Sequence, residues 1–246
     1  YRTTTFENTY DPLHDYRRIQ RIPESSRPFL QSELGYLAEL AQGNQVLVLP
    51  AADEIPSNMY EVLRPNAKLL VAAPQGSTRT WGEDRVVSHK PFTDDHIKGL
   101  RHTDMVIISQ EDMAGFSANH INDIQHNTAA TVIITDGEKG SHIYMDGEDI
   151  FIPAFPLEEC ESREGYHTGN GDHFAACMAA RHPAPNARDT YRDQFRIELI
   201  KAAAQASRDT ALKISAREGV TDGLGSILSP QEITQWSEKN MQRVEG

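Results

Sequence analysis

Four short, almost wholly apolar runs recur along this chain: Val46-Leu47-Val48-Leu49, Lys68-Leu69-Leu70-Val71-Ala72-Ala73, Met105-Val106-Ile107-Ile108 and Thr131-Val132-Ile133-Ile134. A strand with one wet face alternates apolar and polar residues. A run without that alternation must be covered on both faces. Between the runs lie segments with helical spacing. Residues 28–41 carry Leu34, Leu37 and Leu40 or Ala41 on one stripe and end near Gly43. Ser57 is placed to cap a helix through Leu63, Thr93 to cap one through Leu100, and residues 112–124 read as a further helix. Strands alternating with helices predict a mostly parallel sheet with helices on both sides.

The flanks follow the same reading. Residues 3–10, rich in Thr and aromatics, read as a strand. Residues 141–145 and 149–152 alternate around Asp146-Gly147 and predict a hairpin. Residues 174–180 and about 191–217 read as helices, the second with an alanine-rich section suited to close packing. Residues 182–189 form a proline-bearing loop, and no internal repeat is visible.

Parallel α/β sheets bind ligands at the carboxyl ends of their strands. Four polar clusters stand just after predicted strands or at a helix start. They are Pro74-Gln75-Gly76 with Arg79, Ser109-Gln110-Glu111-Asp112, Thr135-Asp136-Gly137 with Gly140, and Gly169-Asn170-Gly171-Asp172. The last has the plainest chemistry. A glycine turn opening a helix aims backbone N–H groups at the positive end of the helix dipole, where an anion can sit. Asp172 stands beside them. Amides for a phosphoryl group and a carboxylate for an alcohol proton are what phosphoryl transfer to a hydroxyl requires. Taken alone, each cluster also has a plainer use. Asp172 suits a helix cap, Thr135–Gly140 a strand-to-hairpin turn, Ser109–Asp112 an acidic first turn, and Arg79 a surface cation.

Composition narrows the classes. The 246 residues suit one large α/β domain or two small ones. Asp plus Glu number 36 against 24 Lys plus Arg, a formal charge of −12, which argues against nucleic acid as a partner. No apolar run approaches the ~20 residues of a membrane span, and no signal peptide is visible. The two cysteines, Cys160 and Cys177, form no CxxC, so a reducing cytoplasm is expected. Ten histidines show no HxxxH or HExxH pattern.

In order and spacing, the four clusters resemble the pfkB family of ribokinase-like carbohydrate kinases. That family closes its domain with a G-A-G-D turn whose aspartate is the catalytic base, matched by Gly169-Asn170-Gly171-Asp172. Its T-x-G-x-x-G loop is matched by Thr135-Asp136-Gly137-Glu138-Lys139-Gly140, and its N-x-x-E element by Ser109-Gln110-Glu111-Asp112. Pro74-Gln75-Gly76 with Arg79, and the early Thr5-Phe6-Glu7-Asn8-Thr9-Tyr10, resemble an inositol- and nucleoside-kinase branch. The resemblance spans about residues 3–226.

It implies a single three-layer α/β/α domain over residues 1–246 with a mostly parallel central sheet. The implied activity is ATP-dependent phosphorylation of a sugar, polyol or nucleoside hydroxyl. Asp172 is then the base, and the amides of Gly169, Asn170 and Gly171 form the anion hole. Thr135, Gly137, Gly140, Gly219 and Gly225 flank the nucleotide, and Gln75 and Arg79 hold the acceptor. Glu111 and Asp112 serve Mg²⁺. The resemblance adds a monovalent cation as a further candidate cofactor and a homodimer as a candidate assembly.

The chain also departs from the family pattern. Tyr166 stands where members place an aspartate, and Asn170 replaces a small residue between the glycines. Ser109 and Asp112 are shorter than the Asn and Glu they replace. The family's opening strand, Gly-Gly substrate loop and lid strands find no match ahead of Thr3. Either further sequence or a partner is expected to cover the sheet edge this leaves. Two other readings stay open: a catalytically impaired relative that binds a nucleotide or a protein, and a flavodoxin-like domain whose glycine turn holds a different anion.

Overall fold

The computed structural model describes residues 3–11, 17–113, 116–125, 130–155, 170–183 and 192–217. The chain divides into two compact units, Tyr1–Val132 and Ile133–Gly246.

The first unit opens with strands β1 (Thr5–Asp11) and β2 (Arg17–Glu24), paired antiparallel with Thr9 opposite Ile19. Helix α1 (Gln31–Ala41) ends at Gly43, whose φ of +69° lies in the left-handed region that glycine tolerates. Strand β3 (Gln45–Val48), helix α2 (Met59–Leu63) and strand β4 (Leu69–Ala72) follow. A 3-10 turn over Pro74–Thr78 leads into β5 (Arg79–Trp81), which pairs antiparallel with β6 (Val87–His89). Helix α3 (Asp94–Leu100), strand β7 (Met105–Ser109) and helix α4 (Ala118–Gln125) complete the unit.

β3 pairs parallel with β4, and β4 with β7. The runs in β4 and β7 are buried as anticipated: Leu69, Leu70, Val71, Ala72, Met105 and Val106 are at most 1% exposed. Each large side chain buried in this way contributes about 1.5–3 kcal/mol. The expected burial of Val46–Leu49 does not hold: among the described strands β3 pairs with β4 alone, so Val46 and Leu47 are only half-buried and Leu49 is 38% exposed. The β1–β2 and β5–β6 ribbons stand outside that sheet. An Arg21–Val86 bridge joins them, and the Ile22 N–H donates to the Arg85 carbonyl at 2.9 Å.

The second unit carries β8 (Thr131–Thr135), within which the boundary falls, then β9 (Gly140–Met145) and β10 (Glu148–Pro153). β9 and β10 form the anticipated hairpin, with Asp146 and Gly147 both at positive φ (55° and 81°), the signature of a tight type I′ turn. Helix α5 (Asn170–Arg181) packs on α6 (Arg192–Arg217). Phe174, Ala175, Met178 and Ala179 of α5 and Phe195, Leu199, Ala203 and Ala206 of α6 are buried. Arg192–Asp146 (3.0 Å) and Arg196–Glu148 (2.9 Å) tie the start of α6 to the hairpin. The six-stranded sheet runs in the order β10-β9-β8-β7-β4-β3. Among the described residues no helix is long and apolar enough to cross a membrane.

Two further local features differ from the sequence reading, and the Thr93 cap agrees with it. Asn58, in helical conformation and without a side-chain cap bond, precedes α2, so Ser57 is not its cap; the start is held instead by the Met59 N–H on the Pro56 carbonyl at 2.9 Å. Thr93 does cap α3: its Oγ1 accepts the His96 N–H at 3.3 Å, and His96 Nδ1 accepts the Thr93 N–H at 3.2 Å. The helix foreseen from Asp112 begins only at Ala118. The Ser109 hydroxyl accepts the Glu111 N–H at 3.2 Å and closes a separate 3-10 turn over Gln110–Asp112. Beyond it, buried Phe116 packs edge-on against Phe92, with ring centroids 5.4 Å apart.

Candidate functional site

In the first unit, the segments leaving β3, β4 and β7 bring several polar groups together. After β4, the Pro74–Thr78 turn presses on the segment after β3 so closely that a Cβ at Gly76 would overlap the Pro50 carbonyl. Gln75 is half-buried; its carbonyl accepts the Thr78 hydroxyl at 2.9 Å. The Arg79 guanidinium donates to the Ala51 carbonyl at 2.8 Å and lies over the Phe6 ring, 5.2 Å from its centroid. Two stretches singled out in the sequence, the early Phe6 strand and the Gln75–Arg79 turn, are thus in direct contact.

Asp112, half-buried after β7, faces the same turn. Its Oδ1 is 3.9 Å from His89 Nδ1, which in turn is 3.2 Å from the Thr78 hydroxyl. Burial raises the pKa of Asp112 above the ordinary carboxylate value. The charges of His89, Arg79 and Arg18 oppose that rise, while Glu111 adds to it. Glu111 itself is exposed. Gln75, Arg79 and Asp112 therefore gather in one neighbourhood.

Sequence reading missed further residues here. Asp53 has a φ of +59°, uncommon for a residue with a side chain. Its carboxylate meets the Lys90 ammonium, and His96 Nε2 lies 3.7 Å from its Oδ1. Next to it, the Glu54 carboxylate accepts the Ala51 and Ala52 N–H groups at 2.7 and 2.5 Å. The signal that could have found them is position: Asp53 and Glu54 follow the first predicted apolar strand as the other clusters follow theirs.

In the second unit, Thr135 ends β8 and the chain turns through Asp136–Lys139. Gly137 has a φ of +53° and Gly140 a φ of +127°. Gly140 lies so near the Ile152 carbonyl that no side chain fits. The Asp136 N–H donates to the Gly140 carbonyl at 2.8 Å, and the Lys139 ammonium pairs with the Asp136 carboxylate at 3.0 Å. Asn170, Gly171 and Asp172 form the first turn of α5, where backbone N–H groups lack helical acceptors. Asp172 is half-buried, whereas Gly171 is exposed with nothing within 4 Å of where a Cβ would stand. On the same helix Cys177 Sγ lies 3.6 Å from His173 Nε2. Gly169, Gly219 and Gly225, and with them Tyr166 and Cys160, lie outside the described residues.

Among the described residues no three His, Cys, Asp or Glu side chains gather to hold a metal ion. Mg²⁺ keeps several waters and is held by one or two carboxylates plus substrate phosphates. The half-buried Asp112 and exposed Glu111 fit that limited requirement.

No protein-family model and no curated protein matches the sequence. Solved structures do resemble it. A sulfate complex of a pyrophosphate-dependent kinase in the ribokinase family superposes with a TM-score of 0.60 at 22% identity, covering 87% of this chain and 70% of that one. A pyrophosphate-dependent ribokinase-family kinase with a pyrophosphate analogue and myo-inositol gives a TM-score of 0.57 at 22% identity, covering 87% and 69%. The ribokinase of Thermotoga maritima gives 0.50 at 13% identity, covering 86% and 69%. With its mostly parallel six-stranded sheet flanked by helices, the chain has the ribokinase-like α/β fold.

Proposed function

We propose that this protein transfers a phosphoryl group to a hydroxyl of a small sugar, polyol or nucleoside. The observation that carries this reading is the first turn of α5, with a half-buried Asp172 beside uncovered Gly171. Asp172 takes the proton of the acceptor hydroxyl. The freed oxygen attacks the terminal phosphorus of the donor, the bond to the bridging oxygen breaks, and the electron pair leaves with the shortened donor. The amides of Gly169, Asn170 and Gly171 stabilise the charge on the phosphoryl oxygens, a contribution of about 3 kcal/mol per donor at comparable oxyanion sites.

Gln75 and Arg79 hold the acceptor. ATP is the donor in this reading, with Thr135, Gly137, Gly140, Gly219 and Gly225 flanking its nucleoside. Pyrophosphate is the second donor to test, because two similar structures are of kinases described as pyrophosphate-dependent, one holding myo-inositol. Magnesium bound with the donor would offset the charge of the phosphates, and Asp112 or Glu111 would hold it through water.

The test incubates the full chain with ATP or pyrophosphate and a panel of cyclitols, sugars and nucleosides, following new phosphate monoesters by phosphorus NMR. Asp172→Asn should lower the rate about 10²–10⁴-fold while the melting temperature stays that of the parent. Full activity in that variant, or no transfer from either donor to any acceptor, refutes the proposal.

A further inference from the structure

We propose that Asp53 is a positioning residue that sets the geometry of the Gln75–Arg79 turn. The inference rests on the reading above, in which that turn holds the acceptor.

Asp53 reaches the turn at two points. Its own N–H donates to the Gly76 carbonyl at 2.9 Å. Its carboxylate clasps the Lys90 ammonium, and the Lys90 backbone N–H donates to the Thr78 carbonyl at 2.7 Å. One residue thereby fixes the middle of the turn directly and its end through Lys90. A third hold comes from α3. Because His96 Nδ1 accepts the Thr93 N–H, the ring proton of neutral His96 belongs on Nε2, the atom facing Asp53 Oδ1. Arg79 closes the circuit by donating to Ala51, two residues before Asp53.

The backbone of Asp53 supports the same conclusion. A left-handed conformation at a residue with a side chain persists only where its surroundings over-determine it, and such residues cluster at ligand clamps. Glycine is the usual occupant of such a position. Here the carboxylate has bonding partners that glycine could not supply. Burial acts to raise the Asp53 pKa, but hydrogen bonds from His96 and Lys90, with their charges, outweigh it and hold the carboxyl below its ordinary value. Asp53 therefore stays ionised at neutral pH and keeps its clasp. Lys90 and Asp53 remain about one-third exposed, so the cluster borders solvent and is not sealed in the core.

The test compares the full chain with Asp53→Asn and Asp53→Gly. The asparagine keeps the shape without the charge, and the glycine relieves the backbone while deleting the carboxylate. Amide hydrogen exchange needs no turnover. Both variants should speed exchange of the Lys90 amide about tenfold or more, with the Val71 amide in β4 unchanged. With the acceptor found in the screen, KM should rise about tenfold while kcat stays within about twofold, as for lost binding that does not reach the transition state selectively. Unaltered Lys90 exchange overturns the proposal whether or not the protein is a kinase. Faster exchange with unaltered KM leaves Asp53 a structural residue only and overturns it equally. Absence of turnover in the parent chain would instead refute the kinase reading, and the exchange result would still decide whether Asp53 sets the turn.

Discussion

Replacing Gly76 by alanine tests the close approach on which the candidate acceptor turn depends. A Cβ added there would overlap the carbonyl of Pro50 and crowd the backbone of Ala51. Both neighbours are main chain, so no side chain can swing aside. They are also held in place: Glu54 accepts the Ala51 and Ala52 amides, and Arg79 donates to the Ala51 carbonyl. Gly76 is not in the left-handed region, so the cost is steric and separate from any φ strain. Overpacking costs typically ~1–3 kcal/mol, and rigid backbone on the far side places this case at about 3. For a chain of this size 1 kcal/mol shifts the melting temperature by roughly 2–4 °C, so Gly76→Ala should lower it by about 6–12 °C. Circular dichroism of thermal unfolding, supported by urea titration, reads this directly. A midpoint within about 2 °C of the parent would mean that the two segments are not packed as described and would refute the reasoning.

Gly171→Ala makes the contrasting case. Its Cβ meets nothing within 4 Å, and alanine in a helix is favoured over glycine by about 0.5–1 kcal/mol, so melting should hold or rise slightly. Turnover should fall, because the new methyl occupies the space proposed for the phosphoryl group; a variant both stabilised and fully active would place the phosphoryl elsewhere. Asp104 accepts the Leu70 N–H at 2.8 Å and pairs with Arg64 at 3.0 Å. Burial nevertheless raises its pKa over the opposing pull of Leu70 and Arg64, so ionisation is penalised and its contribution to stability declines as pH rises through its folded pKa. Asp104→Ala should therefore cost about 1–3 kcal/mol in urea titrations by orphaning the Leu70 amide, whereas Asp104→Asn, which keeps an acceptor, should cost less than about 1. Asp53 has the opposite sign. Its lowered pKa gives stability that is complete above the unfolded value near ~4 and lost as pH falls through the folded one. Melting of the parent should thus decline more steeply than that of Asp53→Asn as pH falls below about 4, and parallel acid limbs would contradict the assigned pairing.

Much of the architecture was written in local patterns. Leu69–Ala72, Met105–Ile108 and Thr131–Ile134 announce themselves as buried strands because a parallel strand covered on both faces reads as a near-continuous apolar run, Thr131 being the buried polar exception. Asp146-Gly147 selects its hairpin turn, and Thr93 its helix start, through chemistry spanning three or four residues. β2 was invisible for the converse reason. Arg17–Glu24 is mostly polar, and its buried Ile22 acquires meaning only when the two ribbons meet and its N–H reaches the Arg85 carbonyl. The three-residue strands β5 and β6 are too short to carry a period at all.

The candidate site divides along the same line. Sequence alone determined which residue types stand after each strand, and so could nominate Gln75, Arg79, Asp112 and Asp172. Their roles depend on what lies beside them, and only tertiary structure decided that Asp53 meets Lys90 thirty-seven positions away or that Phe6 lies beneath Arg79. A periodic pattern records which face of an element meets the core. Pairings across long separations are set by how the elements pack, and no local pattern encodes them.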